Sequence, residues 1–256
     1  MERLWVKDLM THSTNFYMDG NFTMPKVLGE AGIAGSLAGA GLSGYFAGVR
    51  PCVNDPAKLK SMEEAVAKKA AEMVAYPWIV SLHLGDEPEF GYCNCEYCQK
   101  KFKEEFGCEL PELKNDFSPE YLDKWIDYCL FKNRAVGNMY SRAVKIAHQN
   151  NPNFKYGFAS IPQTGGMAFG DDQFNTQSGF DLLWDHPYPG TQTIRSGLNS
   201  AILEETANLQ NRPYVPVWSL LQGFDYPGNA PYMPPAEYMR AMAWQAIASL
   251  EGIDIM

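Results

Sequence analysis

From Asp55 onward the sequence alternates between short apolar segments and longer segments with apolar residues at helical spacing. Continuous apolar segments are typical of strands that are buried on both faces. One lies at Trp78–Leu84, and further strands are predicted at Phe154–Ala159, Phe180–Trp184 and Tyr214–Leu221. A helix is predicted around Ser196 to Leu209, before the last of these strands. Helix starts are indicated where a capping residue or a first-turn proline occurs, at Asp55-Pro56, Ser118-Pro119 and Pro234. Alternating strands and helices favour a parallel α/β sheet, either open or closed into a barrel.

The segment after Ser118 predicts a long helix with one buried face. Its apolar residues at helical spacing are Leu122, Trp125, Ile126, Cys129, Val136, Met139, Ala143 and Ala147.

Length and composition favour one globular domain over residues 1–256, because α/β barrels of about 250 residues fold as single domains. The net charge of −9 and the absence of a basic run argue against a nucleic-acid partner. No apolar segment approaches the roughly 20 residues that cross a bilayer, which argues against a membrane protein. The oligomeric state is left open, a homo-oligomer included.

Strand-like sequence stands at both ends of the chain, at Leu4–Leu9 and at Gly252–Met256. Since domain ends are usually polar and exposed, this predicts a fragment that lacks part of the domain. No leader peptide is recognisable. The location in the cell is therefore left open, with the cytoplasm slightly favoured.

A glycine-rich segment contains Gly39-Ala40-Gly41-Leu42-Ser43-Gly44, which matches the dinucleotide-binding pattern G-x-G-x-x-G. A dinucleotide-binding site requires a strand before this motif and a helix after it. Tyr45–Val49 is instead strand-like, so close-packed small residues in a helix or bend are favoured and a nicotinamide cofactor is not.

Three of the six cysteines, Cys93, Cys95 and Cys98, lie within six residues of one another. They cannot all pair among themselves, and their crowding favours a thiolate zinc site over a disulfide. Zinc needs a fourth ligand, for which Cys52 and Cys108 are candidates and His83 a weaker one. Four thiolates leave no open coordination position, which predicts a structural zinc.

Polar and aromatic residues follow several of the predicted strands. Asp86 and Glu87 come after the Trp78 strand, where α/β folds build their active sites, although a surface turn would explain them too. Aromatic rings beside hydrogen-bonding groups suit a carbohydrate subsite. The candidate sugar-binding residues are Arg50, His83, Trp184, His186, Tyr188, Trp218 and Gln222.

Gly85-Asp86-Glu87-Pro88, the spacing of Cys93, Cys95 and Cys98, and the following Phe102 resemble the family 42 glycoside hydrolases, the zinc-containing β-galactosidases. Phe180–Pro189 is similar to the sixth strand of that family, and the resemblance covers about Arg50 to Met256. It implies a (β/α)8 TIM barrel, incomplete at one or both ends, with Glu87 as acid/base. It also implies zinc on Cys52, Cys93, Cys95 and Cys98, since the family takes its fourth cysteine from the preceding βα loop.

Two departures from that family concern the catalytic carboxylates. Asp86 replaces the asparagine that precedes the acid/base, and no carboxylate stands near Leu220–Gln222, where the nucleophile is expected. The Asp86-Glu87 pair also resembles the Asp-Glu pair in the substrate-assisted N-acetylhexosaminidases of families 20 and 123. In those families the glutamate is the acid, and the aspartate orients the acetamido group of the substrate, which is the nucleophile. Asp185 or Asp225 are the alternative second carboxylates.

These observations favour a glycoside hydrolase acting on a β-linked sugar, either a galactoside or an N-acetylhexosaminide. Glu87 is then the general acid, with Asp86 or Asp185 as its partner. The alternatives are a carbohydrate-binding barrel that has lost catalysis but keeps the zinc, and a zinc-dependent hydrolase, which the closed ligand set disfavours.

Overall fold

The structure of the protein is a computed structural model. It describes residues 8–11, 34–37, 52–77, 79–86, 91–160, 180–185, 217–221, 240 and 252–255. Seven strands lie in these ranges: β1 (Asp8–Thr11), β2 (Ala34–Leu37), β3 (Ile79–Asp86), β4 (Lys155–Ser160), β5 (Leu182–Asp185), β6 (Val217–Leu221) and β7 (Gly252–Ile255). Each pairs in parallel with the next, and Leu9 of β1 also pairs with Ile255 of β7. The described strands therefore close into a parallel barrel.

Three helices connect or flank these strands: α1 (Pro56–Met73), α2 (Glu96–Phe106) and α3 (Pro119–Asn150). Asp55 caps α1 as predicted, because its Oδ1 atom accepts hydrogen bonds from the backbone N–H groups of Ala57 (2.8 Å) and Lys58 (3.4 Å). Within the described ranges, no helix combines the length and apolarity needed to cross a bilayer.

The main core lies where α1 and α3 pack against β3 and β4. α1 contributes Met62, Val66, Ala70 and Met73 to this core. The apolar spacing predicts Val74 on the same face, but Val74 follows the last residue of the helix and is 61% exposed. The second half of α3 contributes small and aliphatic side chains, and the strands contribute Ile79, Leu82, Leu84 and Tyr156. The strands are thus covered by helices, as a parallel sheet requires.

The first half of α3 differs from the prediction. Leu122 and Ile126 were expected in the core but are 40% and 56% exposed, whereas Tyr121 and Tyr128 are buried. This half of the helix packs on the cysteine-bearing segment rather than on the sheet. Its buried face is therefore set by aromatic partners that the apolar spacing alone did not reveal.

Strand β2 lies just before the glycine motif and was not predicted from the sequence. Glycine and alanine are poor strand formers, which explains why Ala34–Leu37 was missed. The Gly39–Gly44 motif lies outside the described residues. The closed strand order nevertheless differs from the open doubly wound sheet on which dinucleotides bind.

Several predicted elements lie outside the described residues: strand 45–49, helix 196–209 and all of the helix after Pro234 except Arg240, which is helical.

Two valines of the α1 segment provide a matched test of this packing. Val66 is 0% exposed in the core, whereas Val74 is 61% exposed at the end of α1. Val66→Ala is expected to lower the free energy of unfolding by about 2 kcal/mol through lost burial and a residual cavity. Val74→Ala should change it by less than about 0.5 kcal/mol. Equal effects in urea denaturation would contradict the core assignment.

Candidate metal centre

Four cysteines from two separate parts of the chain meet beside α2. Cys52 lies in the loop before α1, Cys93 and Cys95 lie in the segment after β3, and Cys98 lies in the first turn of α2. Cys95 is the N-cap residue of that helix, which ends at Gly107 with a positive φ of 71°. A short, well-terminated helix therefore holds the Cys-x-Cys-x-x-Cys segment in one conformation.

The four Sγ atoms all lie within 4.8 Å of one another. Cys52 Sγ lies 3.2 Å from Cys95 Sγ and 3.4 Å from Cys98 Sγ. These distances are too long for a disulfide, at about 2.05 Å. They fit the edges of a tetrahedron around a zinc ion, which are about 3.8 Å when each Zn–S bond is about 2.3 Å.

The grouping distinguishes between the candidate fourth ligands. Cys52 belongs to the group, whereas Cys108 packs against the same apolar cluster without belonging to it. The side chain of His83 is outside the described part of the structure, so the grouping does not test this weaker candidate. All six cysteines lie in the described part of the chain, and none forms a disulfide. Cys52, Cys93, Cys95 and Cys98 thus form a donor set that fits the zinc predicted from the sequence.

The crowding of the sulfur atoms changes their acidities in opposite directions. Hydrogen bonds from Cys52 and then Cys98 lower the pKa of Cys93 well below its usual value. The pKa of Cys52 is raised, first by its hydrogen bond with Cys93 and then by that with Cys98. The opposite shifts of Cys52 and Cys93 show that these thiols interact closely, as expected for a group of sulfur atoms that could share one cation.

Asn54 supports two of the sulfur atoms and was missed by the sequence analysis. Its backbone N–H donates to Cys52 Sγ (3.3 Å) and its side-chain Nδ2 donates to Cys98 Sγ (3.4 Å). Lys101 Nζ donates to the Asn54 Oδ1 atom (3.2 Å), which fixes the orientation of the buried amide. The position of Asn54, two residues after Cys52, is the one sequence signal that could have indicated this role.

An aromatic layer from α3 covers the cluster. Tyr128 is buried, and its hydroxyl oxygen accepts a hydrogen bond from the backbone N–H of Cys93 (2.9 Å). Trp125 stacks on Tyr92, with ring centroids 6.1 Å apart, and on Tyr121, with centroids 6.2 Å apart. Burial raises the pKa of Tyr128, so this hydroxyl stays protonated beside the cysteines.

The carboxyl edge of the barrel carries two of the predicted catalytic residues as strand ends. Asp86 ends β3 and Asp185 ends β5, with β4 between them. Asp185 is level with Ser160 of β4 and Ser219 of β6. Only the backbone is described at these two acids, and the same holds for His83, Trp184 and Trp218.

Trp184 and Trp218 lie at paired register positions on β5 and β6, and His83 lies opposite Gly157 of β4. The structure thus brings two of the predicted sugar-binding residues to neighbouring backbone positions. The other predicted site residues lie outside the described residues: Glu87, Arg50, His186, Tyr188, Gln222 and the alternative Asp225.

Several solved structures that this chain resembles in fold are glycoside hydrolases. The β-galactosidase from Bacillus circulans sp. alkalophilus superposes with a TM-score of 0.68 at 17% identity, over 90% of this chain and 41% of that one. A catalytic mutant of Gan42B, a GH42 β-galactosidase from G. stearothermophilus, gives 0.66 at 12% identity, over 90% and 42%. The glycoside hydrolase domain of PgaB (BpsB) from Bordetella bronchiseptica gives 0.59 at 12%, over 90% and 72%.

No protein-family model matches the sequence, and no curated protein matches it. The structural likeness confirms the predicted relationship to glycoside hydrolase TIM barrels, family 42 among them, at the level of fold. The chain spans less than half of the length of the β-galactosidases it matches.

Replacing single cysteines tests the composition of the centre. Cys52→Ser is expected to lower zinc affinity sharply because one of four thiolate ligands is lost. Cys108→Ser, a matched substitution outside the group, should leave a stoichiometry of one zinc per chain. Metal content of the purified variants measures both, and zinc loss from Cys108→Ser alone would overturn the ligand set.

Proposed function

We propose that this chain is the catalytic barrel of a glycoside hydrolase that cleaves a β-linked sugar, with Glu87 as general acid/base. The observation that carries the proposal is the coincidence of two features: a glycoside hydrolase fold, and an Asp-Glu pair where β3 ends at the carboxyl edge. Catalytic residues of parallel barrels stand at that edge. The resemblance implies an eight-stranded (β/α)8 barrel, whereas the seven described strands close by direct pairing of β1 with β7, so the described residues differ from that expectation in strand number.

The second carboxylate has two candidates, and each corresponds to a different mechanism. β3 and β5 are separated only by β4, so the backbones of Asp86 and Asp185 are about 10 Å apart, at about 4.8 Å per strand spacing. A retaining pair of carboxyl groups is separated by roughly 5 Å and an inverting pair by roughly 6.5–9.5 Å. We propose Asp185 as the partner of Glu87 for an unmodified sugar, because it ends the strand two positions away from the one that Glu87 follows in sequence.

In a substrate-assisted mechanism Asp86 takes the second role. The acetamido group of the substrate supplies the nucleophile, Asp86 orients that group, and Glu87 donates a proton to the leaving oxygen. This arrangement needs no carboxylate near Leu220–Gln222, where the sequence has none. Trp184 and Trp218, at paired positions on β5 and β6, are proposed to contact the sugar ring, together with Arg50, His83, His186, Tyr188 and Gln222.

The cysteine centre is proposed to bind a structural zinc ion through Cys52, Cys93, Cys95 and Cys98. When bound, zinc supplies a tetrahedral cross-link, and with four thiolate ligands it has no open position for substrate or water. The loop that carries Glu87 is then held at both of its ends. β3 fixes the start of this loop, and the Tyr128 hydroxyl, bonded to the Cys93 N–H, fixes the chain beyond its end.

Hydrolysis of chromogenic glycosides tests the catalytic assignment. Glu87→Gln is expected to lower turnover about 10²- to 10⁴-fold, because proton donation to the leaving group is lost while the size of the side chain is kept. Glu120→Gln, at an exposed position in the first turn of α3, is the matched control and should keep wild-type rates.

The substrate panel separates the two mechanisms. Turnover of unmodified β-galactosides, lost in Asp185→Asn, supports the two-carboxylate mechanism. Turnover of N-acetyl-β-hexosaminides alone, lost in Asp86→Asn, supports substrate assistance. Sugar binding without turnover in the wild-type protein, in a chain extended to the length of its relatives as well, would overturn the enzymatic proposal.

Zinc removal tests the structural role. Chelation is expected to lower the melting temperature, because a structural zinc contributes to folding free energy. At temperatures below the new transition the residual turnover should stay within a few-fold of the zinc-loaded rate. Complete loss of turnover without loss of folded structure would instead place zinc in the reaction.

A further inference from the structure

Lys132 is a buried cation on α3. The residue is 0% exposed and its Nζ atom makes no hydrogen bond. An ammonium group without a partner is costly to bury, because it loses its hydration and nothing replaces it. A lysine at such a position therefore requires a compensating charge nearby.

Among the described residues, the cysteine cluster is the candidate for this compensating charge, because the part of α3 that carries Lys132 packs against it. Lys132 follows Phe131, which belongs to the apolar core around Cys98. It also lies one turn beyond Tyr128, and residues four apart share a face of a helix. Burial lowers the pKa of the Lys132 ammonium group, and the negative charge of all four cysteines opposes that effect, Cys98 most strongly.

We propose that Lys132 is the counter-charge of the metal centre and thereby sets its affinity for a divalent cation. A zinc ion held by four thiolates keeps a formal surplus of two negative charges. The ammonium group of Lys132 offsets part of this surplus through the apolar interior, where charges interact more strongly than in water. The inference rests on the proposed zinc site but not on the proposed hydrolysis.

A counter-charge affects the stabilities of the metal-free and zinc-loaded proteins differently, whereas side-chain packing alone affects both equally. In the metal-free protein, burial of the Lys132 ammonium group without a hydrogen-bond partner costs free energy. In the zinc-loaded protein the same lysine faces the full surplus. Lys132 therefore stabilises the loaded state and destabilises the metal-free state, which are effects of opposite sign.

Lys132→Met removes the charge while keeping an unbranched side chain of similar length. We expect zinc affinity, measured by competition with a chromophoric chelator, to fall about 10- to 100-fold, as is typical for residues that support metal ligands. The melting temperature of the metal-free variant should equal or exceed that of the metal-free wild type. Lys124→Met, an exposed position on the same helix, is the control and should change neither quantity.

Unchanged zinc affinity in Lys132→Met would overturn the proposal. So would an equal loss of stability in the metal-free and zinc-loaded states, which is the signature of packing alone. Lys132→Gln gives the same comparison if the methionine variant does not fold. If the wild-type chain binds no zinc, both the zinc site and the counter-charge role of Lys132 are wrong. The proposed glycoside hydrolysis is tested independently, by the activity of Glu87→Gln.

Discussion

The convergence of four sulfur atoms is the constraint on which this side of the barrel depends. Cys52 precedes α1 and Cys93 follows β3, so the cluster closes the chain around the whole α1–β3 unit. The apolar core at this place is small, with Cys98, Phe102, Tyr128 and Phe131 as its buried members. Zinc binding is worth on the order of 10 kcal/mol in small zinc domains, comparable to the roughly 5–15 kcal/mol that stabilises an entire protein. A bound metal would therefore dominate the local stability.

Helix α3 connects this cluster to the barrel, because its two halves pack on different partners. The first half carries aromatic residues that cover the cysteines, and the second half carries small and aliphatic residues that pack against α1, β3 and β4. A single continuous helix thus fixes the cysteine segment relative to the strand that ends at Asp86. Residues that support a catalytic loop from rigid elements keep its reacting groups positioned before substrate binds.

One barrel fold hosts many reactions, so the proposed chemistry depends on the site rather than on the fold. The proposal of glycoside cleavage depends on Asp86 and Asp185, which end β3 and β5 at the carboxyl edge. Because no carboxylate stands near Leu220–Gln222, one of the proposed mechanisms takes its nucleophile from the substrate. A zinc ion held by four thiolates would have no part in either mechanism, because it would have no open coordination position for substrate.

Sequence alone determined the alternation of buried strands and helices, the helix starts at Asp55 and Ser118, and the close spacing of Cys93, Cys95 and Cys98, because periodicity, helix starts and ligand spacing are local properties. It missed β2, whose glycine and alanine are poor strand formers, and placed Leu122 and Ile126 in the core. Residue spacing left Cys52 and Cys108 open and the family resemblance implied Cys52, which the tertiary structure groups with the other three cysteines. Only the tertiary structure brought Asn54 and Tyr128 to the cluster. These contacts depend on how α2 and α3 pack against a distant loop. They join residues that are far apart in the chain, so no local sequence pattern records them.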